Sequence, residues 1–398
     1  MKFNIKNLDV NLKKSKKKII FCKNCVVSNL RPRISFNKDG ICSACEWSYE
    51  KHNIIDWKER EKELIDLLNR HRSKDGSHDV IVPGSGGKDS FYVAHELKHT
   101  YKMNPITITF APFEWTEVGK RNFIKFSNMG IPNLLITPNQ TLHRSLATVG
   151  LNFLGDPWQP FEFGQTNLPF RASDLLKIKL CFFGENGELE YGGSKKYKFK
   201  SKKDPEDFVE HYQKGVKIET LVDLALENKI INKNQFSKGD MSLYQLPDLE
   251  KIKDNKTELH WFSYFKKWIP QENFYHAKKY YDFEINDLGR SEQTYTKYAS
   301  LDDKLDGFHF YFGYLKFGLG RASRDAMQDI RNLHLTRKEA VRLVERFDSE
   351  FPIKHFDWML DYLNINEKDF REISDFYRSE SPAWYKDKNK WLLRHKVY

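Results

Sequence analysis

Apolar residues along this chain follow two rhythms. Short apolar runs of strand length stand at residues 79–82, 106–110, 134–137 and 178–183, and stretches with helical spacing follow three of them at 90–99, 118–129 and 140–149. Strands that alternate with helices predict an α/β fold with a parallel sheet and a ligand site at the C-terminal strand ends. Residues 155–165, with two prolines and little periodicity, read as a loop over that site. Residues 194–257 are lysine-rich with weak helical patterning and read as an insertion or lid. From 336 to 363 the pattern is amphipathic helix, with Val341, Leu343, Val344 and Phe347 as packing positions.

At 398 residues the chain suits two or three compact units. The expected division is a tail and metal-binding ribbon at 1–52, an α/β domain at 53–193, the insertion or lid at 194–288, and a mainly helical region at 289–398 that completes the site. No apolar run reaches membrane-spanning length and no signal-peptide core follows the first lysines, so a cytoplasmic protein with no membrane partner is expected. The basic excess, 66 residues against 55 acidic ones, sits partly in Lys13 to Lys18 and Lys195 to Lys203. Clustered lysines are usually solvated, although Tyr197 and Phe199 within the second run also suit an anionic partner.

Four of the five cysteines form two CxxC pairs, Cys22 with Cys25 and Cys42 with Cys45. Two knuckles at this separation fit a tetrahedral structural zinc site; two disulfides are disfavoured in a reducing compartment. All four positions would be filled by thiolate, which assigns the module to folding or docking.

The segment after the first strand reads PGSGGKDS. Its glycines allow close approach to a phosphate, and the helix that follows presents its N-terminus. It is not a Walker A loop: Asp89 stands where Ser or Thr would hold magnesium, and Val82 where the first glycine belongs. After the 178–183 strand, GENGELEYGG supplies an acidic rim suited to Mg2+. Further on, KYASLDDKLDG and KFGLGRASRDA set cations among glycines, a pattern shared by anion contacts and helix-end salt networks.

The SGGKDS stretch resembles the pyrophosphate loop (PP-loop) of the ATP pyrophosphatases. With the double CxxC, GDPWQPF, GENGELEYGG, KYASLDDKLDG and KFGLGRASRDA, the chain from Cys22 onward resembles the bacterial N-acetyl sugar amidotransferases of the WbpG/PseA type. Pro83 and Gly84 depart from the β-branched residue expected before the loop. The resemblance implies a HUP-like parallel sheet and three cofactors: ATP, Mg2+ and structural Zn2+. It implies that Ser85, Gly86, Gly87 and Ser90 cradle the pyrophosphate, with Lys88, Asp89, Glu185 and Glu188 as catalytic residues. Lys316 and Arg321 would contact the nucleotide, Arg290 and Lys304 the substrate, and Cys22, Cys25, Cys42 and Cys45 the zinc.

The reaction so implied turns the N-acetyl group of a nucleotide-linked sugar or nonulosonic acid into an acetamidino group, in surface-glycan or flagellin-sugar biosynthesis. It needs no protein nucleophile, and Cys181 lies in a strand-like run rather than at a nucleophile elbow. An N-terminal cysteine nucleophile is not expected, since the chain reads Met1-Lys2 where such an enzyme needs a cysteine at its mature start. Ammonia is therefore expected from a separate glutaminase partner, similar to the glutaminase and cyclase pair of histidine biosynthesis. The competing readings are a PP-loop tRNA thiolation enzyme, which commonly requires further cysteines, and a zinc-ribbon binding protein with an inactive loop. Nucleic acid is not the expected partner.

Overall fold

The computed structural model describes residues 5–15, 18–205, 207 and 213–398. Lys16 and Lys17 of the first lysine run lie outside the described residues.

Five strands form one sheet: β1 (Val80–Pro83), β2 (Pro105–Phe110), β3 (Asn133–Ile136), β4 (Leu180–Phe183) and β5 (Glu258–Trp261). Their order is β3-β2-β1-β4-β5, and every pairing is parallel. This is the parallel α/β sheet that the alternating pattern predicts. Chain order reverses between β1 and β4, so the crevice above their C-terminal ends is where a doubly wound sheet opens a ligand site.

Side chains alternate across the strands with period two. Val80, Val82, Leu180 and Phe182 enter a core with helices Trp57–His71, Lys88–His95 and Pro270–Tyr281. Ile81, Ile108, Cys181 and Leu259 face the opposite core, built with helices Gln140–Leu154 and Gln159–Leu176 and with Phe308, Phe312, Phe370 and Tyr377 from the C-terminal region. Burial on both faces explains why β1, β2 and β4 read as continuous apolar runs.

Three sequence expectations change. The expected loop at 155–165 contains the start of helix Gln159–Leu176. Pro160 sits in its first turn, where a missing N–H costs nothing, and Pro169 is accommodated inside it. The segment set aside as 194–288 contributes β5 and helix Pro270–Tyr281, which packs against helix Lys88–His95. The amphipathic stretch at 336–363 is two helices, Arg337–Phe347 and Phe356–Leu363, separated by a turn through Pro352.

The cysteine module is held by isolated antiparallel bridges, Phe21 with Ser28 and Phe36 with Cys42, and by the turn at Asn37–Gly40. It packs on Ala326, Met327, Ile330, Val341 and Val344, so ribbon and C-terminal helices share a core. Among the described residues no helix is long and apolar enough to cross a membrane.

Candidate active site at the sheet crevice

The turn from β1 into helix Lys88–His95 is shaped by close approaches. Gly86 has φ +87°, and a Cβ there would stand 2.8 Å from Phe123 Cα. At Gly84 a Cβ would stand 2.4 Å from that of Ser90. Thr109 donates to the Gly84 carbonyl at 2.6 Å, which anchors the loop to β2. Gly87 caps the helix without any side-chain hydrogen bond, which leaves the first amides for an anion.

Ser85, Gly87, Lys88, Asp89 and Ser90 line a cavity of about 330 Å³ with Glu185, Asp302, Asp306 and Arg321. Ile108, Phe110, Phe161 and Leu168 give it an apolar wall. The 298–306 segment is laid along the chain after β2: Thr116 N donates to Asp302 O at 3.0 Å and Lys304 N to Glu114 O at 3.0 Å. That placement brings Asp302 to the loop, where Ser85 Oγ donates to its carboxylate at 2.6 Å.

Carboxylates outnumber their partners in this crevice. Lys88 pairs with Asp89 at 2.5 Å, and Asn273 donates to the other Asp89 oxygen at 2.8 Å. Burial, reinforced by the charge of Asp89, raises the pKa of Glu185. Burial also raises that of Asp302, with Asp306 adding repulsion. One Asp306 oxygen is buried without a hydrogen-bond partner among the described residues. Neighbouring acids with raised pKa values and an orphaned oxygen fit a site that is completed by a divalent cation. Burial opposes the charge of Arg321, yet Asp325 and Asp306 hold its pKa above the ordinary value, so a firm cation stands opposite the loop.

The other expected site residues lie elsewhere. Glu188 is in the short helix Gly187–Glu190 and pairs with Arg33 at 2.5 Å, facing a second cavity. Lys316 is buried, donates to Asp9 at 2.9 Å and to the Leu154 carbonyl at 2.8 Å, and lines that second cavity rather than the loop cavity. Arg290 forms a two-pronged pair with Glu350 at 2.8 Å, and Lys304 lies 5.2 Å above the Trp358 ring; both line a third groove. Asp302 and Asp306 are not among the residues expected from the sequence, although the LDDKLD run carries a signal of clustered acids in a non-periodic stretch.

The four knuckle thiols are buried and converge. Cys22 and Cys45 Sγ are 3.9 Å apart, and Cys25 and Cys42 Sγ 3.7 Å. Four sulfurs at the usual Zn–S distance of about 2.3 Å stand about 3.8 Å apart, so the set fits zinc. Backbone amides of Asn24, Cys25 and Cys42 point at Cys22 Sγ at 3.4, 3.5 and 3.3 Å. Arg331 lies 3.5 Å from Cys25 Sγ and donates to the Glu190 carbonyl at 2.8 Å, tying the sulfur cluster to the acidic loop. Cys181 is fully buried on β4, and burial pushes its thiol up.

The second lysine run is consumed locally: Lys195 pairs with Glu46, Lys196 with Asp207, Lys198 with Glu50 and Lys200 with Asp204, all within 3 Å.

The glycine-rich turn after β1, the open helix start and the clustered carboxylates form one crevice at the C-terminal ends of the parallel strands. Residues 292–398 match the family model described as "LPS biosynthesis protein WbpG-like, C-terminal domain". That match contains KYASLDDKLDG and KFGLGRASRDA, two of the motifs that carry the resemblance to WbpG-type amidotransferases. No curated protein matches the chain. Among solved structures, the chain is similar to an NH3-dependent NAD synthetase from Campylobacter jejuni, in complex with nitrate. The identity is 16%, the alignment covers 50% of this chain and 95% of that one, and the TM-score is 0.28.

Proposed function

We propose that the protein is an ATP-dependent amidotransferase that converts the N-acetyl group of a nucleotide-linked sugar or nonulosonic acid into an acetamidino group. The observation that carries this reading is the crevice itself, where the PP-loop, Asp89, Glu185, Asp302 and Arg321 line one cavity that contains no thiol. An amide carbonyl is a poor electrophile. Attack of its oxygen on the α-phosphorus of ATP expels pyrophosphate and gives an O-adenylyl imidate. Ammonia adds to that carbon, AMP departs with the former carbonyl oxygen, and loss of a proton leaves the amidine.

The residues assist by binding and charge. The amides of Ser85 to Lys88 and the uncapped start of helix Lys88–His95 receive the pyrophosphate, with Lys88 adding charge. Asp89, Glu185 and Asp302 are the groups that would hold Mg2+, which when bound neutralises phosphate charge. Arg321 faces the charge that develops on the departing group. Cys22, Cys25, Cys42 and Cys45 would hold a structural zinc that crosslinks the ribbon. With every thiol buried, ammonia is supplied by a separate glutaminase.

The test incubates the protein with ATP, Mg2+, ammonium and a panel of nucleotide-linked N-acetyl sugars and follows sugar mass and AMP together. A sugar lighter by the difference between oxygen and NH, formed in step with AMP, is expected; AMP release that depends on tRNA and leaves every sugar unchanged would refute the reading. Glutamine in place of ammonium is expected to support no turnover by the single chain.

A further inference from the structure

A second cavity of about 250 Å³ adjoins the first, and its wall carries Arg31, Arg33, Lys214, Lys316 and Arg324. Its carboxylates are all engaged. Arg33 pairs with Glu188 at 2.5 Å, Lys316 with Asp9 at 2.9 Å, and Lys214 with Asp156 at 2.7 Å and Glu162 at 3.3 Å. Two guanidinium groups remain. Among the described residues neither Arg31 nor Arg324 forms an ion pair; Arg31 donates only to the Gly192 carbonyl, at 2.7 Å, and the Arg324 Nε is buried with no partner. Both converge on one ring: Arg324 stands 4.0 Å from the Tyr191 centroid and Arg31 5.9 Å. Burial and the like charge of Arg324 push Arg31 down to about 9, and it remains cationic at neutral pH.

Two like charges at one cavity wall, with an orphaned donor, are costly until an anion joins them. The same wall leads to the reaction crevice. Tyr191 donates to Glu185 at 3.2 Å, and the Phe310 ring lies beneath both Arg324, at 5.6 Å, and Arg321 of the first cavity, at 4.6 Å.

We infer that the second cavity seats the anionic group of the acceptor sugar, with Arg31 and Arg324 as its ligands, so that the sugar's acyl arm passes Tyr191 toward the pyrophosphate loop. The anion is either the phosphate linkage of a nucleotide-bound sugar or the carboxylate of an acidic sugar; both accept charge-assisted bonds from guanidinium. This inference rests on the amidotransferase reading for the identity of the acceptor, but not for the existence of the anion site.

The experiment measures binding of UDP, CMP and N-acetylneuraminic acid by calorimetry, without ATP, to the wild type and to Arg31→Gln, Arg324→Gln and Lys88→Ala. Either arginine variant is expected to weaken binding about tenfold or more, while Lys88→Ala leaves it unchanged. The nucleotides and the acidic sugar distinguish the two anion sources. Phenylglyoxal labelling of the wild type supplies a second reading that does not depend on a variant's folding: the bound anion should slow modification of Arg31 and Arg324, mapped by peptide mass. Three results overturn the inference: no probe binding, binding lost in Lys88→Ala but kept in both arginine variants, or labelling unaffected by the probes. Anion binding at these arginines without any amidine product leaves the cavity assignment standing and strikes the reaction. Amidine synthesis with unchanged sugar KM in both arginine variants does the reverse.

Discussion

Replacing Lys51 by methionine tests whether the ribbon holds the acidic loop in place. Lys51 lies on helix Ser43–Asn53, which follows Cys42, and its ammonium donates to Glu190 at 2.9 Å and to the Trp268 carbonyl at 3.0 Å. Both side chains are 1–2% exposed. Glu190 closes the GENGELE turn that begins beside Glu185. Its other carboxylate oxygen accepts from Trp47, and its carbonyl accepts from Gln328 at 2.9 Å and Arg331 at 2.8 Å. Methionine keeps the apolar stem but strands a buried carboxylate and orphans the Trp268 carbonyl. Removing one partner of a buried pair costs about 3–5 kcal/mol. At roughly 2 °C per kcal/mol for a large chain, the melting temperature should fall by about 6–10 °C. The double variant Lys51→Met with Glu190→Met removes both charges and should recover about half or more of that loss, because an apolar pair of similar volume replaces a desolvated ion pair. Denaturant unfolding of the wild type, both single variants and the double variant gives the coupling directly. A Lys51→Met variant within about 0.5 kcal/mol of wild type would refute the reasoning, since that is the range of surface substitutions. So would additive effects in the double variant.

Further outcomes follow from the crevice and the ribbon. Glu185 has a raised pKa, so its proton is favoured by folding: that stability is present below the unfolded carboxylate value and lost as pH rises through the raised one. Mg2+ binding needs the opposite, ionised form. Stability should therefore decline, and ATP-dependent turnover increase, as pH rises above the ordinary carboxylate range, while Glu185→Gln stabilises the chain at neutral pH and abolishes turnover; an unchanged melting temperature in Glu185→Gln would contradict this. Asp302→Asn should lower turnover roughly a hundredfold, measured by AMP release. Metal analysis should find zinc in the purified protein, and removing it with a chelator should unfold the ribbon and lower the melting point; a metal-free protein of full stability would remove the zinc assignment. Gly86→Ala should destabilise the loop by about 1–3 kcal/mol, since a positive φ and a backbone contact at 2.8 Å both oppose a Cβ.

What could be read from the sequence divides along physical lines. Strands β1, β2 and β4 were legible because burial on both faces makes them dense apolar runs, β3 because its edge position still carries the apolar run Leu134–Ile136, and the loop because only glycine suits its close approaches. Strand β5 escaped because ELHW, an edge strand among lysines, carries a polar first residue and a histidine and no clean period. The helix from Gln159 escaped because Pro160 and Pro169 read as breakers, although the first occupies a helix start that tolerates proline. For the crevice, spacing placed the loop and Glu185 at strand ends, and the structure has them lining one cavity. It separated neither Arg321 from Lys316, nor Asp302 from Lys304, because which side of a helix or turn faces the crevice depends on packing against chain distant in sequence. The contact between Arg331 and the cysteines, 306 residues away from Cys25, has no local signature at all.

The central claim is that the amide oxygen of the acceptor becomes an oxygen of AMP. A nucleotide-linked sugar whose N-acetyl carbonyl carries a heavy oxygen isotope, incubated with the protein, ATP, Mg2+ and ammonium, tests it in one mass spectrum. The account predicts that the label leaves the sugar and appears in AMP, one atom for each amidine formed. Label found in water, in inorganic phosphate or retained in the sugar while AMP accumulates would contradict it.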